Sequence, residues 1–188
     1  MDDKEIYDRI KSDKQNFAIL YDQYFVPIKK YILRRIGNYD ISCDVTAETF
    51  LKAYLKVNYF EYRGISYKVW LYRIATNEVN LFFRSKKYKP LNKINLEDFN
   101  NETLITSQQE DKDIWEKELQ DHHDFLKAQQ VIKNLPIKYA EVLSLRYFEK
   151  ASIKEIAEIL DKPKGTIKSL CTRGLQKVKE KMQPGTES

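Results

Sequence analysis

The chain has 188 residues, 42% of them hydrophobic, with five Gly, five Pro, two Cys and a formal net charge of +5. That length suits one domain or two small ones, the apolar content excludes wholesale disorder, and the scarcity of Gly and Pro argues against a turn-rich sandwich or barrel. Cys43 and Cys171 lie far apart with no CxxC or Cys/His spacing, so buried, reduced thiols are expected rather than a disulfide or zinc site.

The N-terminus, "MDDKEIYDRI", is acidic and lacks an apolar signal segment, and no run of 18 apolar residues spans a membrane. A soluble cytoplasmic protein is therefore expected. From 14 to 37, apolar residues recur at three and four: Phe17, Leu20, Tyr21, Tyr24, Phe25, Ile28, Tyr31, Ile32 and Ile36. Pro27 should kink this helix or mark a new start, and Gly37-Asn38 should end it. Helical spacing returns over 44–57 through Val45, Phe50, Leu51, Tyr54 and Leu55. It breaks at "NYFEYRGIS" and resumes from Tyr67 to Phe83.

The composition then shifts. Glu97 to Asp124 holds ten acids and two lysines, with weak apolar periodicity, and reads as a linker. His122 and His123 sit at its edge; adjacent residues diverge on a helix, so they make no metal site. Beyond it, "FLKAQQVIKNL" precedes Pro136 and "IKYAEVLSLRYF" follows. "SIKEIAEIL" opens on Ser152 as N-cap with Glu155 three residues on, a capping box. Asp161-Lys162 makes a turn and Pro163 suits the first position of a final helix. Two short helices joined by a tight turn form a helix-turn-helix. The fold class expected is all-α: two small helical domains joined by an acidic linker, the second a helix-turn-helix.

Two basic stretches carry the chemistry. From Pro163 to Met182 there are six Lys/Arg against Glu180 alone. Ile167, Leu170, Cys171, Gly174, Val178 and Met182 fall on one side of this helix. Lys168, Ser169, Thr172, Arg173, Gln176 and Lys177 fall elsewhere, a mixture that suits base edges and phosphates in a major groove. The bland counterpart is a helical hairpin with a solvated basic face. From Arg63 to Lys89 there are seven Lys/Arg against Glu78, interleaved with aromatics. Aromatic faces stack on unpaired bases while cations hold phosphates, so this stretch suits melted DNA. Trp70, Leu71, Ile74 and Phe82 are expected in the core, and Tyr59, Phe60 and Tyr62 on an exposed loop. No Gly-rich phosphate loop, nucleophile pair or metal cluster occurs, so neither catalysis nor a cofactor is expected.

Three segments resemble the extracytoplasmic-function (ECF) sigma factors of bacterial RNA polymerase: "DVTAETFLKAY", "YRGISYKVWLYRIATNEVNLFFR" and "LPIKYAEVLSLRYFEKASIKEIAEILDKPKGTIKSLCTRGLQKV". The last carries the family's "EIA" and "GT[IV]KS" signatures. The resemblance implies a first domain over 1–89, a linker over 90–120 and a helix-turn-helix domain over 121–188. It implies binding to the clamp helices of core RNA polymerase around Asp44, Glu48, Thr49 and Lys52. It also implies minus-ten recognition and melting by Tyr62, Arg63, Gly64, Arg73, Asn77 and Arg84, and minus-thirty-five reading by Lys168, Ser169, Thr172 and Arg173. The partners implied are core polymerase, promoter DNA and, as is common in the family, an anti-sigma factor. Ala47, Thr76, Leu81, Asp161 and Leu175 depart from the family's usual Gln, Arg, Asp, Gly and Arg. The competing readings are a stand-alone regulator, which would bind a palindrome as a dimer, and a nucleic-acid-processing enzyme, which would need a carboxylate metal cluster.

Overall fold

The computed structural model describes residues 2–62, 64–85 and 126–182. Arg63, the linker over 90–120 and both histidines lie outside the described residues. All regular structure among the described residues is helical.

Helix α1, Asp3–Ser12, was not anticipated from the sequence. Asp2 caps it by accepting from the Glu5 N–H, and only Ile6 and Ile10 are buried from it. Helix α2, Phe17–Ile36, runs continuously through Pro27, so no new start occurs there. A mid-helix proline, through its missing N–H and the clash of its ring with the preceding turn, costs about 3 kcal/mol. Ile28, Tyr31 and Ile32 follow it at 0% exposure and hold the second half of the helix in the core. Gly37 ends α2 with φ 71°, the left-handed conformation a side chain would resist, and its N–H bonds the Leu33 carbonyl at 2.7 Å. Asn38 then caps α3 through its side chain, so α3 spans Tyr39–Lys56 and starts well before the expected position 44. Helix α4, Tyr67–Arg84, is capped by Ser66. Helices α2, α3 and α4 pack on one another, and the hydroxyls of Tyr31 and Thr76 meet at 2.9 Å across the buried α2–α4 contact.

The second group begins with a helix over 126–133 (α5), followed by α6, Ile137–Leu143. Helix α6 passes into a π-helical turn, Ser144–Phe148. Helix α7, Ile153–Leu160, carries both bonds of the capping box between Ser152 and Glu155. Burial raises the Glu155 carboxyl, but the Ser152 bonds and Lys68 outweigh it and leave the group below its ordinary range. Asp161 makes the turn at φ 51°, and α8 spans Lys164–Met182 with Pro163 just ahead of it. Ile167, Leu170, Gly174 and Val178 are its buried side. A Cβ on Gly174 would lie 3.0 Å from Leu143 Cδ1, so the glycine sets how closely α8 approaches α6. Ser152→Ala removes the hydroxyl cap and is expected to cost about 1 kcal/mol of stability, read from the denaturant midpoint at unchanged slope.

The two groups touch. Helix α4 lies against α7, and α2 against the π-helical turn.

Candidate functional site

The capped α7, the left-handed turn at Asp161 and the packing of α8 on α6 fix which way α8 faces. Lys168, Ser169, Thr172, Arg173, Gln176 and Lys177 are all exposed along it. The Ser169 hydroxyl donates to the Gly165 carbonyl at 3.0 Å, and Thr172 to that of Lys168 at 3.1 Å. Their hydrogens are used on the backbone, so both oxygens offer lone pairs outward as acceptors, beside the donors of Lys168 and Arg173. A Cβ at Gly165 would meet nothing within 4 Å, which leaves the start of the helix open to an approaching phosphate. The sole acid of this helix, Glu180, accepts from Gln176 at 3.2 Å, toward the C-terminal end. The outward face is therefore cationic and rich in both donors and acceptors.

The second surface is built by α4 and the loop before it. Gly64 sits at φ 77° with open space around it. Tyr59 is 84% exposed and Tyr62 is exposed beside Tyr7, ring centroids 6.1 Å apart. Phe60 departs from the sequence expectation. It is buried, stacked 4.5 Å from the Tyr67 ring and 5.1 Å from Trp70, and so belongs to the core. Leu71 is buried, and Trp70, Ile74 and Phe82 are partly buried against the core, as expected. Asn77 and Arg84 are exposed on α4. Arg73 is half-buried instead, its guanidinium donating through Nε and a terminal nitrogen to the Glu158 carbonyl of α7. Tyr72, one of the interleaved aromatics, is buried with its hydroxyl on Glu149 at 2.6 Å. Lys86, Lys87, Tyr88 and Lys89 lie outside the described residues.

On α3, Asp44 and Glu48 are exposed. Lys52 bridges Glu48 at 3.1 Å and Glu78 at 2.6 Å, and the Glu78 carboxylate holds the ammonium above the ordinary lysine range. Thr49 does not share this surface. It is fully buried and its hydroxyl donates to the Val45 carbonyl at 2.7 Å. Leu51, Tyr54 and Leu55, which carry the helical spacing over 44–57, are all exposed. Phe17, Tyr21, Phe25, Ala47, Leu51 and Tyr54 border an open apolar groove of about 460 Å³ between α2 and α3. The exposed acids Asp44 and Glu48 lie on the same helix as the groove-lining Ala47, Leu51 and Tyr54. An excess of apolar residues on α3 over what one buried stripe needs was the available signal. Cys43 and Cys171 are free, and burial raises the Cys171 thiol. Among the described residues no cluster could hold a metal ion, and no helix is long and apolar enough to cross a membrane.

A helix-turn-helix with a cationic outward face, beside a helical domain that presents basic residues, exposed tyrosines and an open apolar groove, is the architecture of a DNA-binding protein. Family comparison narrows the class. The chain matches the model described as Sigma-70 region 2 over residues 20–88, and that described as Sigma-70, region 4 over 125–178. It is 32% identical over 184 residues to the ECF RNA polymerase sigma-E factor of Haemophilus influenzae, covering 97% of this chain and 96% of that protein. It is also 32% identical over 175 residues to the ECF RNA polymerase sigma factor SigW of Bacillus subtilis, covering 92% of each. The chain belongs to the ECF sigma factors of the sigma-70 family, which direct transcription initiation. Two solved structures share its fold. CnrH, in complex with the cytosolic domain of CnrY, superimposes with a TM-score of 0.68 at 16% identity over 99% of both chains. The sigma factor RpoE of Bartonella quintana, in complex with the anti-sigma factor NepR, gives 0.62 at 19% identity over 90% of this chain and 99% of that one.

Proposed function

We propose that residues 1–89 bind core RNA polymerase and hold the melted minus-ten strand, that 90–120 is a tether, and that 121–188 reads the minus-thirty-five element in duplex DNA. The observation that carries this reading is the outward face of α8, where Lys168, Ser169, Thr172 and Arg173 stand exposed on a helix locked by its buried side. Arg and Lys there reach guanine O6 and N7, and the hydroxyl oxygens accept from exocyclic amines. Asp44 and Glu48, with the adjacent groove, face the clamp helices. Tyr62, Arg63 and Gly64 hold a flipped base, and Arg73, Asn77 and Arg84 hold the strand. Two weak DNA contacts on one tether reinforce each other when promoter spacing fits. The chain performs no covalent chemistry itself; polymerisation belongs to the core enzyme, in the cytoplasm. The complexes of CnrH with CnrY and of RpoE with NepR support an anti-sigma protein as a further partner.

Run-off transcription with core polymerase on genomic fragments tests the reading. Discrete transcripts should appear only when this protein is added. Glu48→Lys reverses one exposed charge and is expected to weaken core binding about tenfold, a loss of about 1.4 kcal/mol, with the helical signal unchanged. Tight binding to a palindromic duplex with no affinity for core polymerase would replace the sigma reading with a stand-alone regulator.

A further inference from the structure

Helix α1 precedes the segment matched as Sigma-70 region 2, and its buried side chains are Ile6 and Ile10 alone. Both its ends are nevertheless fixed. Asp2 accepts from the Glu5 N–H at 2.7 Å, and the Asn16 side chain donates to the Arg9 carbonyl at 3.0 Å. Tyr7 and Lys11 lie four residues apart on α1 and so share a face. That face meets the loop that runs from α3 to α4. Lys11 Nζ donates to the Asn58 carbonyl at 2.6 Å. Asn58 belongs to the 3-10 turn Val57–Tyr59 that continues α3. At such a helix end the backbone carbonyls lack partners and the dipole favours a cation. The Tyr7 ring lies edge-on to Phe60, centroids 6.3 Å apart, and 6.1 Å from Tyr62. Among the described residues, Tyr7 is the one aromatic neighbour of the Tyr62 ring.

We propose that α1 is a positioning element for strand capture: Tyr7 braces the Tyr62 ring and Lys11 ties down the backbone at Asn58, so that the loop meets an unpaired base already in shape. This role rests on the reading of Tyr62 and Gly64 as the base-holding site. The loop needs such braces. Gly64 sits at φ 77° with nothing within 4 Å of where a Cβ would stand, so no side chain restrains the backbone there. Phe60 is the loop's buried anchor, and Tyr59 and Tyr62 project to solvent on either side of it in sequence. A ring that must be immobilised on binding lowers affinity, whereas a ring already held does not. Tyr62 is backed by Tyr7 and is still exposed, which leaves ring surface on which a base can stack. Stability is a poor account of the same contacts. Lys11 is exposed, and fixing its long side chain on one carbonyl gives up rotamer freedom for a bond that water would replace. The packing of α1 is supplied by Ile6 and Ile10.

The test uses the full chain assembled with core polymerase and a labelled single strand carrying the minus-ten element of a promoter found by run-off transcription. An abasic scan first locates the captured base: the position where removing the base weakens binding by the unmodified protein but not by Tyr62→Ala. Tyr7→Ala should then bind the intact strand on the order of tenfold more weakly, because the stacking ring loses its support. Lys11→Met should bind it about threefold more weakly, because only the fraction of loops in the competent shape binds. Tyr7→Phe keeps the ring and Lys11→Arg keeps the donor, so both should stay within about twofold of the unmodified protein. All four variants should bind the strand that is abasic at the captured position as the unmodified protein does, which a general loss of fold would not permit. Circular dichroism checks the fold, and Lys11→Met, which removes no packing, decides the matter if Tyr7→Ala does not fold. A folded Tyr7→Ala or Lys11→Met that binds the intact strand normally, while Tyr62→Ala does not, would overturn the role of α1 and leave the base-holding reading standing. Losses of the same size on the intact and abasic strands would do the same. Absence of any discrete transcript, or of any position where base removal and Tyr62→Ala share their effect, would overturn the base-holding reading and the role of α1 with it.

Discussion

Arg173→Ala is expected to lower promoter occupancy by the assembled polymerase roughly 5- to 150-fold, the equivalent of the 1–3 kcal/mol carried by one specific base contact. The residue is exposed on the outward side of α8, one position before the buried Gly174 that seats the helix on Leu143. Truncation removes a fork of donors without touching the packing, so the helical signal and unfolding midpoint should be unchanged. The loss should vary with the base at the upstream element, because a base contact discriminates and a phosphate contact does not. Asn77→Ala should behave differently. It lies on α4, away from the duplex-reading helix, so closed-complex occupancy should persist while strand opening slows. A pre-melted bubble template should restore Asn77→Ala and leave Arg173→Ala impaired. Filter binding reports occupancy, and permanganate footprinting of unpaired thymines reports opening. Equal loss of occupancy in both variants, with the bubble rescuing both or neither, would show that the domains do not divide the work in this way.

Features decided by local chemistry were legible in the sequence. The capping box of α7, the left-handed Asp161 and the buried stripe of α8 all follow from residues within one or two turns of each other. Helix α1 was missed because only Ile6 and Ile10 are buried from it, too few to show a period. The start of α3 was missed because Gly37-Asn38 was read only as an ending, whereas Asn38 also caps the next helix. Phe60 shows a different limit. Its loop position suggested exposure, but the rings of Tyr67 and Trp70, brought round by the chain, enclose it. Thr49 was assigned to a surface by resemblance, and its helical phase turns it inward. The contact between domains was not legible at all. Glu141 and Glu149 read as ordinary solvated acids. Glu141 is buried and the Glu149 side chain nearly so, met by Asn80, Arg34 and Tyr72, with Arg34 coming from 115 residues away in the chain. Nothing local to either partner encodes that pairing.

Tyr67→Phe and Tyr31→Phe should shift stability in opposite directions. Both rings are fully buried on the first domain's core side. The Tyr31 hydroxyl shares a hydrogen bond with Thr76, whereas that of Tyr67 is buried without a partner among the described residues. Leaving a buried polar group unpaired costs about 1–3 kcal/mol. Tyr31→Phe orphans Thr76 and should lose about that much, while Tyr67→Phe removes the orphan and should gain about 1 kcal/mol. Alkali adds a second signature. Burial is the leading cause that raises the phenols of Tyr31, Tyr67 and Tyr72 above the ordinary tyrosine range, with the Glu149 charge adding to the effect at Tyr72. In the unfolded chain these groups ionise near pH 10. Above that pH the folded state binds more protons than the unfolded state, so the stability they contribute is full below about pH 10 and falls as pH rises through the folded values. Helical ellipticity should therefore be lost together with the share of tyrosinate absorbance that belongs to the buried phenols, in one cooperative transition on the alkaline side. Tyr67→Phe should shift that transition to higher pH, having both a better core and one fewer phenol to ionise. A Tyr67→Phe variant that loses as much stability as Tyr31→Phe would mean that the Tyr67 hydroxyl is bonded in solution, and the assignment of its burial as a cost would be wrong.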